Sequence, residues 1–152
     1  MKDNSRLDEI DEEIIKQLQS NSRVTLTFLS ARFNLTQNAI KYRIKNLETK
    51  GYIIKYTTVL EPKKFGKKVT AIFNFNLPLD RIESFCKHLK KFENITNIYF
   101  ITGHYSICAI GIFENHEELN SFLIDHLSKT SIPDYIVSTV LKRFKEQFYE
   151  LK

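Results

Sequence analysis

The chain has 152 residues, 42% of them hydrophobic and 27% charged, with a formal net charge of +5 and a pI of about 9.1. These values fit a soluble globular protein of one medium domain or two small ones, and they admit a nucleic-acid partner without requiring one. Two cysteines cannot build a disulfide framework or a zinc site, the first residues are charged rather than signal-like, and the longest apolar run (107–113) is too short to cross a bilayer. Cys86 and Cys108 therefore read as small buried hydrophobes in a reducing cytoplasm, with no membrane partner.

Residues 7–21 predict an amphipathic helix. Leu7, Ile10, Ile14 and Leu18 form its apolar stripe, and Asn21-Ser22 end it. Asp8, Glu9, Asp11, Glu12 and Glu13 crowd its start, where carboxylates complement the helix dipole. Thr25 is placed to cap a second helix over 26–33. Asn34-Leu35-Thr36 then make a three-residue turn, because Asn tolerates the left-handed exit and Thr caps the next helix. The third helix runs over 37–50 and Gly51 ends it. Its inward stripe is Ile40, Ile44 and Leu47, and its other face carries Gln37, Asn38, Lys41, Tyr42 and Lys45, with Arg43 beside them.

Charge is thus sorted between elements, with an acidic first helix and a basic third one. Two helices joined by so short a turn, the second polar at its start and basic beyond, have the layout of a helix-turn-helix recognition element. Its polar side chains reach base edges and its basic ones reach phosphates. The expected contacts to double-stranded DNA are Thr36, Gln37, Asn38, Lys41, Tyr42, Arg43 and Lys45.

Residues 52–60 (YIIKYTTVL) are β-branched and aromatic and predict a strand, broken by Glu61-Pro62. A basic connection comes next, with Lys63, Lys64, Lys67 and Lys68 around Phe65-Gly66. From Val69 the pattern predicts a strand to Leu77, and a helix over 81–92 capped by Asp80. A strand over 95–102, a turn over 103–106 and a strand over 107–113 make a hairpin. A helix over 116–129 capped by Asn115 and a strand from 135 to about 144 after Pro133 complete the order. The fold class is α+β: a three-helix, winged-helix-like DNA-binding domain (1–51), a hinge strand and linker (52–68), and a ferredoxin-like βαββαβ sandwich (69–152). The 107–113 strand is apolar on both faces, yet helices cover only one face of such a sheet. A second copy is the simplest cover for the other, so a homodimer is expected, in keeping with a palindromic site.

In order and spacing, this pattern resembles the Lrp/AsnC family of prokaryotic transcription regulators over nearly the whole chain. The resemblance starts at Leu7-Asp8-Glu9-Ile10-Asp11 and continues through Asn21-Ser22-Arg23 and Leu29-Ser30 to Leu35-Thr36. It includes Ala39, Arg43, Ile44, Leu47, Glu48, Gly51 and Ile53, then Tyr56, Pro62 and Gly66. It implies a dimer, often assembled into tetramers or octamers, that regulates genes in response to a small molecule, often an amino acid. In the family the effector sits near the turn between the two central strands, commonly Thr-Gly-x-Tyr-Asp with Asp frequent at x. Here the turn is Thr102-Gly103-His104-Tyr105-Ser106, so His104 and Ser106 replace acidic residues. Ser accepts from an ammonium group without charge assistance, and His104 favours an anion when protonated. A different effector, binding through backbone groups and a vestigial pocket all fit that departure.

Two other readings stand beside the regulator. Sirohaem decarboxylases resemble the same two-domain layout and hold substrate propionates with histidines. Here His88, His104, His116 and His126 are dispersed, three of them on predicted helix surfaces, and no triad, carboxylate pair or metal-ligand spacing occurs. The chain is read as a non-enzyme, with no catalytic or metal-binding residues and no cofactor. A multimeric architectural DNA-binding protein is the other alternative, using the basic 63–68 connection.

Overall fold

Local capping chemistry sets the ends of the first three helices. In the computed structural model, which describes residues 7–127, 132, 134–146 and 149–151, α1 spans Glu9–Ser20, α2 Leu26–Phe33 and α3 Gln37–Thr49. Asp8, Thr25 and Thr36 are their N-caps, accepting from the N–H groups of Asp11, Phe28 and Ala39 at 2.7, 3.1 and 3.1 Å. Asn34 ends α2 in the left-handed conformation at φ 52°, the geometry its short polar side chain tolerates. The stripes converge on Ile14, Leu29, Ile40 and Leu47, each no more than 1% exposed. Burying each of these side chains stabilises the bundle by about 1.5–3 kcal/mol.

The contacts divide the chain into two units, Met1–Val59 with Glu146–Lys152, and Leu60–Lys145. The chain thus returns to the helical unit at its end. There the Gln19 amide of α1 donates to the Tyr149 carbonyl at 2.9 Å and accepts from the Leu151 N–H at 3.0 Å.

The segment expected as a hinge strand, 52–60, joins no sheet among the described residues. Its alternating apolar residues suit a strand, but strand geometry needs a ladder partner and the single chain offers none. Ile54 and Val59 stay 89% and 73% exposed. The Tyr56 hydroxyl ties the middle of the segment to α3, donating to Glu48 at 2.9 Å. Burial and the Glu48 carboxylate push that phenol up to about 12.

The second unit is built as β1 (Val69–Asn76), α4 (Leu79–Leu89), β2 (Ile95–Phe100), β3 (Ile107–Phe113), α5 (His116–Phe122) and β4 (Asp134–Thr139). Its sheet order is β2-β3-β1-β4, antiparallel throughout, which is the ferredoxin-like arrangement expected. Alternate residues of β1 and β3 (Ala71, Phe73, Phe75, Ile107, Ala109 and Phe113) point to the helices and are at most 1% exposed. Gly111 lies among them because a Cβ there would come within 2.9 Å of the Phe113 ring and 3.1 Å of Ile95 and Phe73.

Several expected boundaries move, and α4 ends at Leu89 rather than 92 and β2 at Phe100 rather than 102. α4 begins at Leu79 with Pro78 in the cap position, so Asp80 is a first-turn carboxylate and not the cap. Asn115 does cap α5, accepting from the Glu118 N–H at 2.8 Å, but the regular helix gives way at Leu123 to a wider π-type turn ending at Leu127. Lys129 and Pro133 lie outside the described residues. β4 stops at Thr139 rather than near Phe144, its last bond to β1 running from the Val140 N–H to the Thr70 carbonyl at 2.8 Å.

Candidate nucleic-acid interface and effector turn

The face of α3 divides by what holds each side chain. Asn38, Lys41, Tyr42 and Lys45 are exposed, Tyr42 by 68%. Among the described residues, no hydrogen bond or ion pair engages the side chains of Asn38, Lys41 or Lys45. Thr36 serves as the helix cap. Gln37 is braced to the preceding helix, its Nε2 donating to the Thr27 hydroxyl at 3.1 Å.

Arg43 differs from the lysines. Its guanidinium donates from Nη1 to Asp8 at 2.6 Å and to Asp11 at 2.7 Å, binding α3 to the start of α1. Burial pushes the Asp8 carboxyl up, but the hydrogen bonds from Arg43 and the Asp11 N–H outweigh it and leave Asp8 below its ordinary value. Hydrogen bonds to the Asp8 and Asp11 carboxylates raise Arg43 above its ordinary value, against burial. Arg43 is thus occupied within the protein, whereas its charge and its place in α3 predict a DNA contact beside Lys41 and Lys45. Its spacing carries the signal: it falls three residues after Ile40 and four before Leu47, flanking the inward stripe, while Lys41 and Lys45 lie on the far side. Sequence reasoning also missed Thr27 as a partner of Gln37.

In the second unit, Thr102-Gly103-His104-Tyr105-Ser106 closes the β2–β3 hairpin, with Gly103 at φ +124°. Thr102, Gly103 and His104 are exposed, and Tyr105 and Ser106 are half-buried. The Ser106 hydroxyl accepts from the Leu77 N–H at 3.0 Å and lies 3.3 Å from the Phe75 and Leu77 carbonyls, so it closes off the end of β1. His104 Nε2 meets Asp134 Oδ2 of β4 at 3.0 Å, and its ring stands edge-on to Tyr105. A carboxylate therefore does stand at this turn, supplied by β4 and facing a histidine.

The remaining histidines lie apart from it. His88 and His126 are half-buried against Phe92, at 5.1 and 4.5 Å between ring centres, so they help fill the helix layer, where helix position alone predicts surface residues. His116 opens α5 and is exposed. Glu118 of α5 gathers the adjacent corner, accepting from the Glu114 N–H, from Asn94 at 3.0 Å and from Lys67 at 3.5 Å. The Glu114 N–H chiefly lowers its carboxyl below the ordinary value, with Asn94 and Lys67 adding to the effect and burial opposing it.

Comparison with known proteins agrees with both halves. A winged helix-turn-helix DNA-binding model matches residues 7–54, and the Lrp/AsnC ligand binding domain model matches residues 70–149. An uncharacterized HTH-type transcriptional regulator of Pyrococcus horikoshii is 37% identical over 96% of this chain and 98% of its own. A Neisseria meningitidis transcriptional regulator, solved as its L-methionine complex, has a TM-score of 0.84 at 26% identity, covering 93% of this chain and 94% of that one. The E. coli AsnC structure has a TM-score of 0.89 at 23% identity, covering 95% and 98%. No helix among the described residues is long and apolar enough to cross a membrane. Helix-turn-helix, sheet topology and matched models converge: the chain belongs to the Lrp/AsnC family of DNA-binding transcription regulators.

Proposed function

We propose that this cytoplasmic regulator binds a specific duplex sequence through α3, with Lys41 and Lys45 on phosphates and Gln37, Asn38 and Tyr42 at base edges. The observation that carries this is the division of charge on one helix: Arg43 is paired with Asp8 and Asp11, and the two lysines are left to solvent. A genome-fragment selection for bound DNA, re-measured at two salt concentrations, tests it. A recurrent motif bound far above random duplex supports a specific regulator. Salt-sensitive binding without a motif would leave only the architectural reading.

We further propose a homodimer formed through the sheet face opposite the helices, which can build into tetramers or octamers. Ile72 of β1 and Cys108, Ile110 and Ile112 of β3 lie on that face half-exposed, flanked by Tyr99 and Ile136 at 48% and 47%. Sedimentation of the protein with Ile110→Asp checks this, since a charge on that face should yield monomers.

The effector, by the likeness to the L-methionine-bound regulator, is an amino acid or a similar small molecule held at the 102–106 turn. Thr102, Gly103, His104 and Tyr105 are the proposed contacts. Ser106 supports the turn from behind, and Asp134 takes the place of the family's turn carboxylate in accepting from an ammonium group. Thermal-shift screening of the amino acids against the native protein and Asp134→Asn tests the assignment. A ligand that stabilises both equally would remove Asp134 from it.

A further inference from the structure

Gln37 is the first residue of α3, at the end of the helix that a major groove admits most deeply. Its amide hydrogen bonds sideways to Thr27 of α2, through Nε2 and at 3.1 Å. An amide nitrogen has two hydrogens. When the Thr27 hydroxyl takes the hydrogen trans to Oε1, the second hydrogen and the Oε1 acceptor remain side by side on the outer edge of the same planar group. That donor–acceptor pair matches the N7 acceptor and N6 donor of adenine, and no other base presents that pair in the major groove. A free glutamine offers the pattern too, but it also turns over to present the reverse. Its three side-chain torsions must be frozen on binding, at a cost typical of a long polar side chain.

We propose that the Thr27–Gln37 hydrogen bond fixes the amide so that Gln37 reads adenine at one position of the binding site, with Thr27 as a positioning residue for that specificity. The inference rests on α3 being the reading helix. Thr27 itself belongs to the helix before the turn, so the base choice is set by a residue outside the recognition helix. Thr27 is exposed and no part of the core, and replacing its hydroxyl leaves the caps Thr25 and Thr36 untouched.

The test is a binding-site selection on the full chain and on Gln37→Ala, Thr27→Val and Thr27→Ser, with affinities measured for all four bases at each motif position. The native protein should prefer adenine at one position by about tenfold, the usual worth of a bidentate base contact. Gln37→Ala should abolish that preference. Thr27→Val should reduce it to about threefold or less at that position alone, and Thr27→Ser should restore it. Replacing the preferred adenine by 7-deazaadenine should weaken the native protein and leave Gln37→Ala unaffected. An adenine preference that disappears with Gln37→Ala but survives Thr27→Val would overturn the positioning role. A motif indifferent to Gln37 would overturn the whole assignment, while the lysine contacts of α3 would stand. Absence of any motif for the native protein would sink the reading helix itself.

Discussion

Removing Lys41 and Lys45 should change how DNA binding responds to salt, and removing Arg43 should not. Each phosphate neutralised contributes about 0.9 to the slope of log K against log salt concentration, so the two lysines account for about 1.8 per protomer. Between 50 and 200 mM salt, a fourfold change, that slope corresponds to roughly a 12-fold loss of affinity per protomer that Lys41→Ala/Lys45→Ala no longer suffers. Arg43→Gln should keep the native slope, because the guanidinium is already bound by Asp8 and Asp11 at 2.6 and 2.7 Å. Its cost should appear in folding. Both pairs reach solvent, with side-chain exposures of 27% for Arg43, 52% for Asp8 and 23% for Asp11, so screening limits each to about 0.5–1 kcal/mol. A total of about 1–2 kcal/mol should lower the melting point of the helical unit by several degrees, at roughly 4–8 °C per kcal/mol for a unit of this size. Fluorescence anisotropy across a salt series reads the slope, and circular dichroism at 222 nm reads the melting. A slope that flattens in Arg43→Gln by as much as in a single lysine variant would refute the division of charge proposed for α3.

Three further outcomes come from the packing. Gly111→Ala should destabilise the sheet unit by about 1–3 kcal/mol, because the added methyl meets Phe113, Phe73 and Ile95 at 2.9–3.1 Å in a filled core; urea denaturation checks this, and a neutral result would mean the rings give way. Thr36→Ala removes the cap that accepts from the Ala39 N–H and should cost about 1 kcal/mol, with increased amide exchange confined to the first turn of α3. Glu118 titrates below its ordinary value when folded, so its contribution to stability is complete above the unfolded carboxyl range and is lost as pH falls through the lower folded value. Glu118→Gln should therefore flatten the acid arm of the stability profile and lower stability at neutral pH; an unchanged acid arm would show that the Glu114 N–H, Asn94 and Lys67 contacts do not matter in solution.

What was legible in the sequence was local. Thr25, Asn34, Thr36 and Asn115 cap or turn the chain where their side chains allow, and each acts on a backbone group within five residues. The order of the second unit was equally legible, since short β-branched and apolar strands, turn residues and period-3.6 helices follow one another plainly from Val69 onward. What escaped was set by partners far along the chain. Arg43 is claimed by carboxylates 32 and 35 residues away. Ser106 is claimed by the end of β1, 29 residues away, and His104 faces Asp134 across 30. The 52–60 segment has strand composition, but composition does not supply a neighbour. Asp80 does not cap because the helix already begins at Leu79, after Pro78 in extended geometry, which leaves Asp80 inside the first turn.

The last described residues belong to the helical unit, so that unit is not built from consecutive chain alone. One side chain, Gln19, meets the backbone at both Tyr149 and Leu151, donating to the first carbonyl and accepting from the second N–H. The two bonds are worth about 1 kcal/mol each. During synthesis the core of Ile14, Leu29, Ile40 and Leu47 is available long before Tyr149 and Leu151 exist, so these contacts join the unit last.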